Sequence, residues 1–228
     1  MNSRDIVPLY QKYKALYGKQ VYQYFSEILT EARAQHQRDW EAQPEEERKV
    51  FEQSWHSVKG ACLEKLILLV LGDLSAEGNI YFVGDKKLKS KKLKPPLSVL
   101  REALLVDYGD RLGEHLPDAD LIAYVDNPPR ILAILSIKSS LRERIAHVAY
   151  WKLKTQNSQI PYFFITTDSD GDFTKKEITK SRAIAETDTS SVYLLTLEEM
   201  PFNEDDKNSR VKSFHHLIDD LKKLAEDG

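Results

Sequence analysis

Residues 117–138 read PDADLIAYVDNPPRILAILSIK. LIAYV (121–125) is a short apolar run of β-favouring residues, DNPP (126–129) has turn composition, and RILAILSIK (130–138) is a second apolar run. The pattern predicts two strands joined by a turn, the second apolar almost throughout and therefore buried on both faces. In an antiparallel pair the start of one strand lies beside the end of its partner. Asp118 and Asp120 open the first strand; Ser136 and Lys138 close the second. Each pair is spaced by two, so its members share a face. The hairpin is thus expected to gather carboxylates and an ammonium group at one edge of a sheet.

Phosphodiester hydrolysis has a use for that arrangement. A hard divalent cation takes carboxylate oxygens, and magnesium often binds through one or two of them plus phosphate and water. The metal polarises the phosphate and lowers the pKa of a bound water. A neighbouring lysine orients that water and stabilises charge on the phosphate oxygens. Such a site commonly needs a further acid, and Glu64, set in the apolar run KGACLEKLILLVLG (59–72), is the candidate. Plainer readings exist, because strand-end aspartates often terminate strands and strand-end lysines often only snorkel to water. Spacing alone does not separate the two.

Working outward, the first 75 residues carry helical spacing: Tyr10, Tyr13, Leu16, Tyr17, then Val21, Tyr24, Phe25, Ile28 and Leu29. Gln43 and Pro44 mark a break, and a second helix is expected from about Glu45 to Leu74, closed by Gly72, Asp73 and Ser75. NIYFVG (79–84) is a short strand, a lysine-rich loop follows, and Ser98 is placed to cap a helix running to about Leu112. Beyond the hairpin, 141–154 suits a helix, and PYFFITT (161–167) and SVYLLTL (191–197) suit strands. A last helix is expected from about Asn208 to Ala225. The order predicts an α/β fold: a mixed sheet flanked by helices, with an N-terminal helical subdomain. The expected division is a helical region at 1–57, a candidate for dimerisation, and a core with a C-terminal helix at 58–228.

The chain of 228 residues is 41% hydrophobic and 30% charged, which suits one sizeable globular core and excludes a disordered chain. No apolar run approaches membrane-spanning length, and MNSRDIVPLYQKYK lacks a signal-peptide core. The single Cys62 has no internal disulfide partner, and no Cys/His cluster has zinc spacing. A cytoplasmic protein with no membrane partner is expected. The net charge of −3 does not advertise nucleic-acid binding, but its distribution does. KKLKSKKLK (86–94) holds six lysines and no acid; KSSLRERIAHVAYWKLK (138–154) sets five basic residues against one Glu; the acids gather at 41–49 and 198–227. Charge separated this way leaves an acidic chain able to present a positive groove, although a lysine run alone is also a common solvated loop.

The hairpin resembles the PD-(D/E)xK nuclease superfamily in its form with serine at the acidic position: Pro117-Asp118, or the offset Asp120, then Ser136-Ile137-Lys138. Glu64, on the helix before the first core strand, is similar to the first-helix glutamate of many such nucleases. The order of helix, three strands, helix and strand matches the family core over roughly 58–167. Directly after Lys138, Ser-Ser-Leu-Arg142-Glu143-Arg144 resembles the K-x-x-x-R-(D/E)-R segment of type II restriction endonucleases that read CCGG, or CC and GG flanking a central base or pair. The continuation, RERIAHVAYWKLK, is similar to that of a subset of restriction enzymes. Arginine pairs bidentately with guanine O6 and N7, and a carboxylate accepts from cytosine N4, so an Arg-Glu-Arg cluster suits neighbouring G·C pairs.

The resemblance implies a type II site-specific deoxyribonuclease that cuts double-stranded DNA at a short G·C-containing, CCGG-like sequence with Mg²⁺. It implies a catalytic set of Glu64, Asp118, Asp120, Ser136 and Lys138, with metal at Asp120, Asp118 and Glu64. Arg142, Glu143 and Arg144 would read bases. Lys86, Lys87, Lys89, Lys91, Lys92 and Lys94 would grip backbone phosphates. A palindromic site pairs naturally with a homodimer or higher homo-oligomer. In one respect the chain departs from the pattern. The CCGG-reading group often supplies an acid 13 or 14 residues beyond the lysine, where this sequence has Trp151 and Lys152. The burden then falls on Glu64, or on Asp118 and Asp120 together.

Two other readings are a structure-specific repair or junction nuclease of the same fold, against which the Arg-Glu-Arg cluster argues, and a non-catalytic DNA-binding protein, against which the full set of acids and lysine argues. DSDGD (168–172) lacks the glutamate that completes a calcium loop and is expected to be a turn. His215 and His216 fall in the C-terminal helical pattern, and Tyr10, Tyr13, Tyr17, Tyr22 and Tyr24 are expected to pack or to form an interface.

Overall fold

The computed structural model describes residues 2–48, 50–76, 78–139, 145–155, 159–175, 177–195 and 209–227. The chain divides into two compact units, residues 1–74 with 195–197, and residues 75–194 with 198–228. The expected division at 57/58 falls inside a continuous helix.

In the first unit, α1 (Ile6–Tyr17) ends where Gly18 adopts φ 57°, a conformation glycine reaches without Cβ strain, and its N–H donates to the Lys14 carbonyl. A 3-10 segment (Gly18–Tyr24) leads into α2 (Phe25–Glu41). Tyr10 and Tyr22 are buried, and Tyr17 stacks on Tyr24 at 3.6 Å between centroids, so the tyrosines pack as expected. The second long helix, α3 (Phe51–Ser75), starts six residues later than about Glu45. The Arg48 guanidinium reaches back to the carbonyls of Glu41 and Gln43, and Arg48 itself is extended at ψ 116°, which delays the helix.

In the second unit, six strands form one mixed sheet in the order β1-β4-β5-β6-β7-β8. They are β1 (Tyr81–Gly84), β4 (Leu121–Asp126), β5 (Pro129–Lys138), β6 (Tyr162–Thr166), β7 (Ser191–Leu194) and β8 (Val211–Ser213). The pairs β1–β4 and β4–β5 are antiparallel, and β5 to β8 run parallel. β5 is buried at seven successive positions, as its largely apolar run predicted. The β4–β5 register is interrupted once. Tyr124 faces Ile131 but Ala123 faces Ala133, so Leu132 is an extra residue in β5, a β-bulge. Ile122, Ile134, Tyr162, Phe164, Val192 and Leu194 form the heart of the core, with Trp151 and Phe173 packed on it. No helix of the described residues is long and apolar enough to cross a membrane.

Three expectations fail locally. The lysine-rich stretch begins with a helical turn, α4 (Asp85–Leu88), rather than a loop, and Lys89 Nζ pairs with Asp85 at 2.8 Å. The helix α5 (Leu97–Leu104) stops well before Leu112 and begins behind Pro96, not at a Ser98 cap. A small antiparallel pair follows it, β2 (Val106–Asp107) with β3 (Glu114–His115). Gly109 and Gly113 take φ 85° and 71° in the turn between them, which suits glycine and stops a helix. Finally, the last helix, α8 (His216–Glu226), starts at His216 because residues 211–213 pair with β7 as an edge strand. The helices α6 (Ile145–Thr155) and α7 (Lys180–Asp188) flank the sheet.

Candidate active site

The hairpin delivers the predicted juxtaposition. Lys138 Nζ lies 2.8 Å from Asp120 Oδ2 and 3.0 Å from Oδ1, and the two side chains are 19% and 12% exposed. The Asp120 N–H donates to the Leu135 carbonyl at 3.0 Å, and the Asp120 carboxylate takes the next inward-facing donor of β5, the Ile137 N–H, at 2.5 Å on Oδ2. Just ahead of β4, the aspartate side chain thus extends the ladder and locks its own orientation. Among the described residues Oδ2 accepts from two donors while Oδ1 meets only Lys138, so Oδ1 keeps lone-pair capacity for another partner. Ser136, buried, fills the strand position before Ile137.

Asp118 is arranged differently. Its carboxylate is half exposed and faces His147 Nδ1 on α6 at 3.6 Å. Its backbone carbonyl accepts from the hydroxyl of Tyr162, a buried residue on β6. Burial, aided by the nearby Asp118 and Asp120 charges, pushes the Tyr162 phenol above its ordinary range, so it is a fixed donor at neutral pH. His147 Nε2 in turn accepts from the indole Nε1–H of Trp151 at 3.1 Å. Sequence reasoning missed Tyr162, His147 and Trp151. Only the helical spacing of His147 and Trp151, four apart, was visible beforehand.

Glu64 lies on α3 in the first unit and is part-buried. Arg142, Glu143 and Arg144 lie outside the described residues. The six lysines from Lys86 to Lys94 are all exposed. Their run starts beside the hairpin: Gly84 pairs with Leu121, and the Asp85 N–H donates to the Asp120 carbonyl at 3.3 Å. The DSDGD segment is a turn. The Asp168 carboxylate accepts from the N–H groups of Asp172, Phe173 and Thr174 and from the Thr174 hydroxyl, so its oxygens serve the loop itself. His215 is exposed and His216 opens α8.

The carboxylate oxygens present suit a hard divalent cation. Asp118 is half exposed opposite His147, and Asp120 keeps lone-pair capacity on Oδ1 beside Lys138. Among the described residues no three His, Cys, Asp or Glu side chains form a ready cage.

Comparison with known proteins places this geometry in context. The family description BsaWI restriction endonuclease type 2 matches residues 89–220. A protein of Methanocaldococcus jannaschii named as the type II restriction enzyme MjaVIP is 30% identical over 184 residues, covering 76% of this chain and 78% of its own. One of Helicobacter pylori named as the type II restriction enzyme HpyAORF263P is 37% identical over 139 residues, 58% of this chain and 70% of its own. Among solved structures, metal-depleted Ecl18kI in complex with uncleaved, modified DNA superposes with a TM-score of 0.51 at 14% identity, covering 100% of this chain and 80% of that one. That likeness shows a restriction endonuclease-like fold.

Proposed function

The chain belongs to the BsaWI family of type 2 restriction endonucleases, and from that premise we propose that it cleaves double-stranded DNA at a short G·C-containing, CCGG-like site with Mg²⁺. The observation that carries the catalytic reading is the Lys138–Asp120 contact at the open end of the hairpin. Asp120 and Asp118 would hold the metal, which supplies polarisation of the scissile phosphate and a lowered pKa for an attacking water. Lys138, held in place by Asp120, orients that water and offsets charge developing on the phosphate oxygens. The Ile137 N–H keeps the Asp120 carboxylate from rotating away. Ser136 occupies the position where other nucleases of this fold carry an acid, so the acidic burden rests on the β4 side. Glu64 is proposed as a further acid on its place in the sequence.

For recognition, Arg142, Glu143 and Arg144 are proposed to read G·C pairs, each good bidentate contact giving about 1–3 kcal/mol of discrimination. The exposed lysines 86–94, which start beside Asp120, support a grip on phosphates flanking the cut. A homodimer is proposed, because a palindromic site presents the same half-site twice.

The test is digestion of a large unmethylated DNA of known sequence, with Mg²⁺ and with EDTA, beside Lys138→Ala. Discrete metal-dependent fragments, lost in the variant, are expected, and the fragment ends give the site. Tight DNA binding with no cleavage under any divalent metal would overturn the reading.

A further inference from the structure

Asp118 is fixed at two levels. Its main chain is tied to the core by the Tyr162 hydroxyl, while its carboxylate, half exposed, faces His147. His147 is not free to choose its protonation pattern. Trp151 lies one helical turn further along α6, buried in the core, with its indole nitrogen 3.1 Å from His147 Nε2. An indole N–H only donates, so Nε2 must accept. The neutral imidazole then carries its single proton on Nδ1, the nitrogen 3.6 Å from Asp118 Oδ2. That separation is longer than a hydrogen bond. Both side chains are half exposed.

We propose that His147 is a positioning residue for the metal site: its Nδ1–H, held in that tautomer by Trp151, orients the Asp118 carboxylate toward the cation. It is not itself a ligand. Coordination through Nδ1 needs an unprotonated Nδ1, which moves the ring proton to Nε2, directly against the Trp151 N–H. The residue that lies 13 beyond Lys138 therefore serves the site through its hydrogen bond to His147. Outer partners of this kind typically alter metal affinity by about 10–100-fold.

The inference rests on Asp118 being a ligand, so the experiment separates the two. Mn²⁺ binding to the whole chain is measured by electron paramagnetic resonance, and the Mg²⁺ concentration for half-maximal DNA cleavage is measured in parallel. The proteins are wild type, Asp118→Asn, His147→Ala, His147→Asn and Trp151→Phe, each checked by thermal melting. His147→Ala is expected to weaken Mn²⁺ binding and raise the Mg²⁺ requirement by about 10-fold. His147→Asn places an amide N–H where Nδ1–H was and is expected to restore most of that loss. Trp151→Phe, which keeps an aromatic ring but frees the tautomer, is expected to fall between them. If Asp118→Asn weakens Mn²⁺ binding but His147→Ala does not, or if His147→Asn is as poor as His147→Ala, the positioning role is overturned. If Asp118→Asn changes neither readout, the ligand reading of Asp118 fails and this proposal falls with it. Loss of cleavage in Lys138→Ala would still stand on its own.

Discussion

Lys138→Ala removes the cation that neutralises Asp120, and its effect on stability can be worked from the geometry. Breaking a fully buried ion pair costs about 3–5 kcal/mol, while exposed pairs contribute about 0–1 kcal/mol. With side chains 19% and 12% exposed, this pair lies nearer the buried limit, but Asp120 keeps the Ile137 N–H as a partner. A loss of about 2 kcal/mol follows, near the middle of that range. At about 2–4 °C per kcal/mol for a domain of this size, the melting temperature should fall by roughly 4–8 °C. Asp120→Asn alone should also destabilise, because Lys138 then faces an amide that can present it only one oxygen. The double variant should be more stable than the sum of the two losses predicts, with a coupling energy of about 1 kcal/mol or more, as contacting residues show. Differential scanning calorimetry on the four proteins reads all of this, and cleavage should vanish in all three variants. Strict additivity, or a melting temperature in Lys138→Ala within about 1 °C of wild type, would refute the argument that these side chains form a partly buried pair.

Three further outcomes are expected. Arg142→Ala should relax the choice of base at one G·C position by about 10–100-fold, read as new bands in the digest of a DNA of known sequence. Replacing Lys86, Lys91 and Lys92 by alanine should weaken binding to all sequences alike and reduce the salt slope of log K by about 1 per lysine, measured by fluorescence anisotropy from 50 to 200 mM salt. Cys62 is fully buried, and burial pushes its thiol up to about 11. The folded state therefore favours the neutral thiol, an advantage complete below the ordinary thiol pKa and lost as pH rises toward 11. Iodoacetamide should label native protein slowly at pH 8 and denatured protein readily.

Much of the fold was legible because its signals are local. The largely apolar run of β5 announced a central strand, and the composition of 126–129 announced the turn. The acid–lysine contact was suggested by the antiparallel ends of the hairpin, but the bulge that puts both on one face was not legible. What stayed hidden depended on partners distant in sequence. Tyr162 reaches the Asp118 carbonyl across 44 residues, and only the parallel pairing of β5 with β6 brings them together. β8 has no strand signal of its own in three residues and exists because β7 offers an open edge. The stop of α5 at Leu104 was written in Gly109 and Gly113, but the helical pattern of 97–104 masked it. His147 was visible as a residue of a helix, yet nothing in its own neighbourhood in sequence pointed to Asp118.

The extra residue in β5 sets the phase of the hairpin. Continued without it, the register beside the turn would set Leu121 opposite Ile134; with it, Leu121 stands opposite Leu135. Partners across a pair point to the same face. The shift thus puts the apolar Leu121 and Leu135 on one face and leaves the alternate positions, Asp120 on one strand and Ser136 and Lys138 on the other, to meet on the opposite face. The count of residues between Pro129 and Lys138 is then information separate from their identity. A relative could keep every acid, the serine and the lysine, drop one aliphatic residue from the middle of the strand, and still look complete in an alignment. Its acids and its lysine would point to opposite sides of the same sheet.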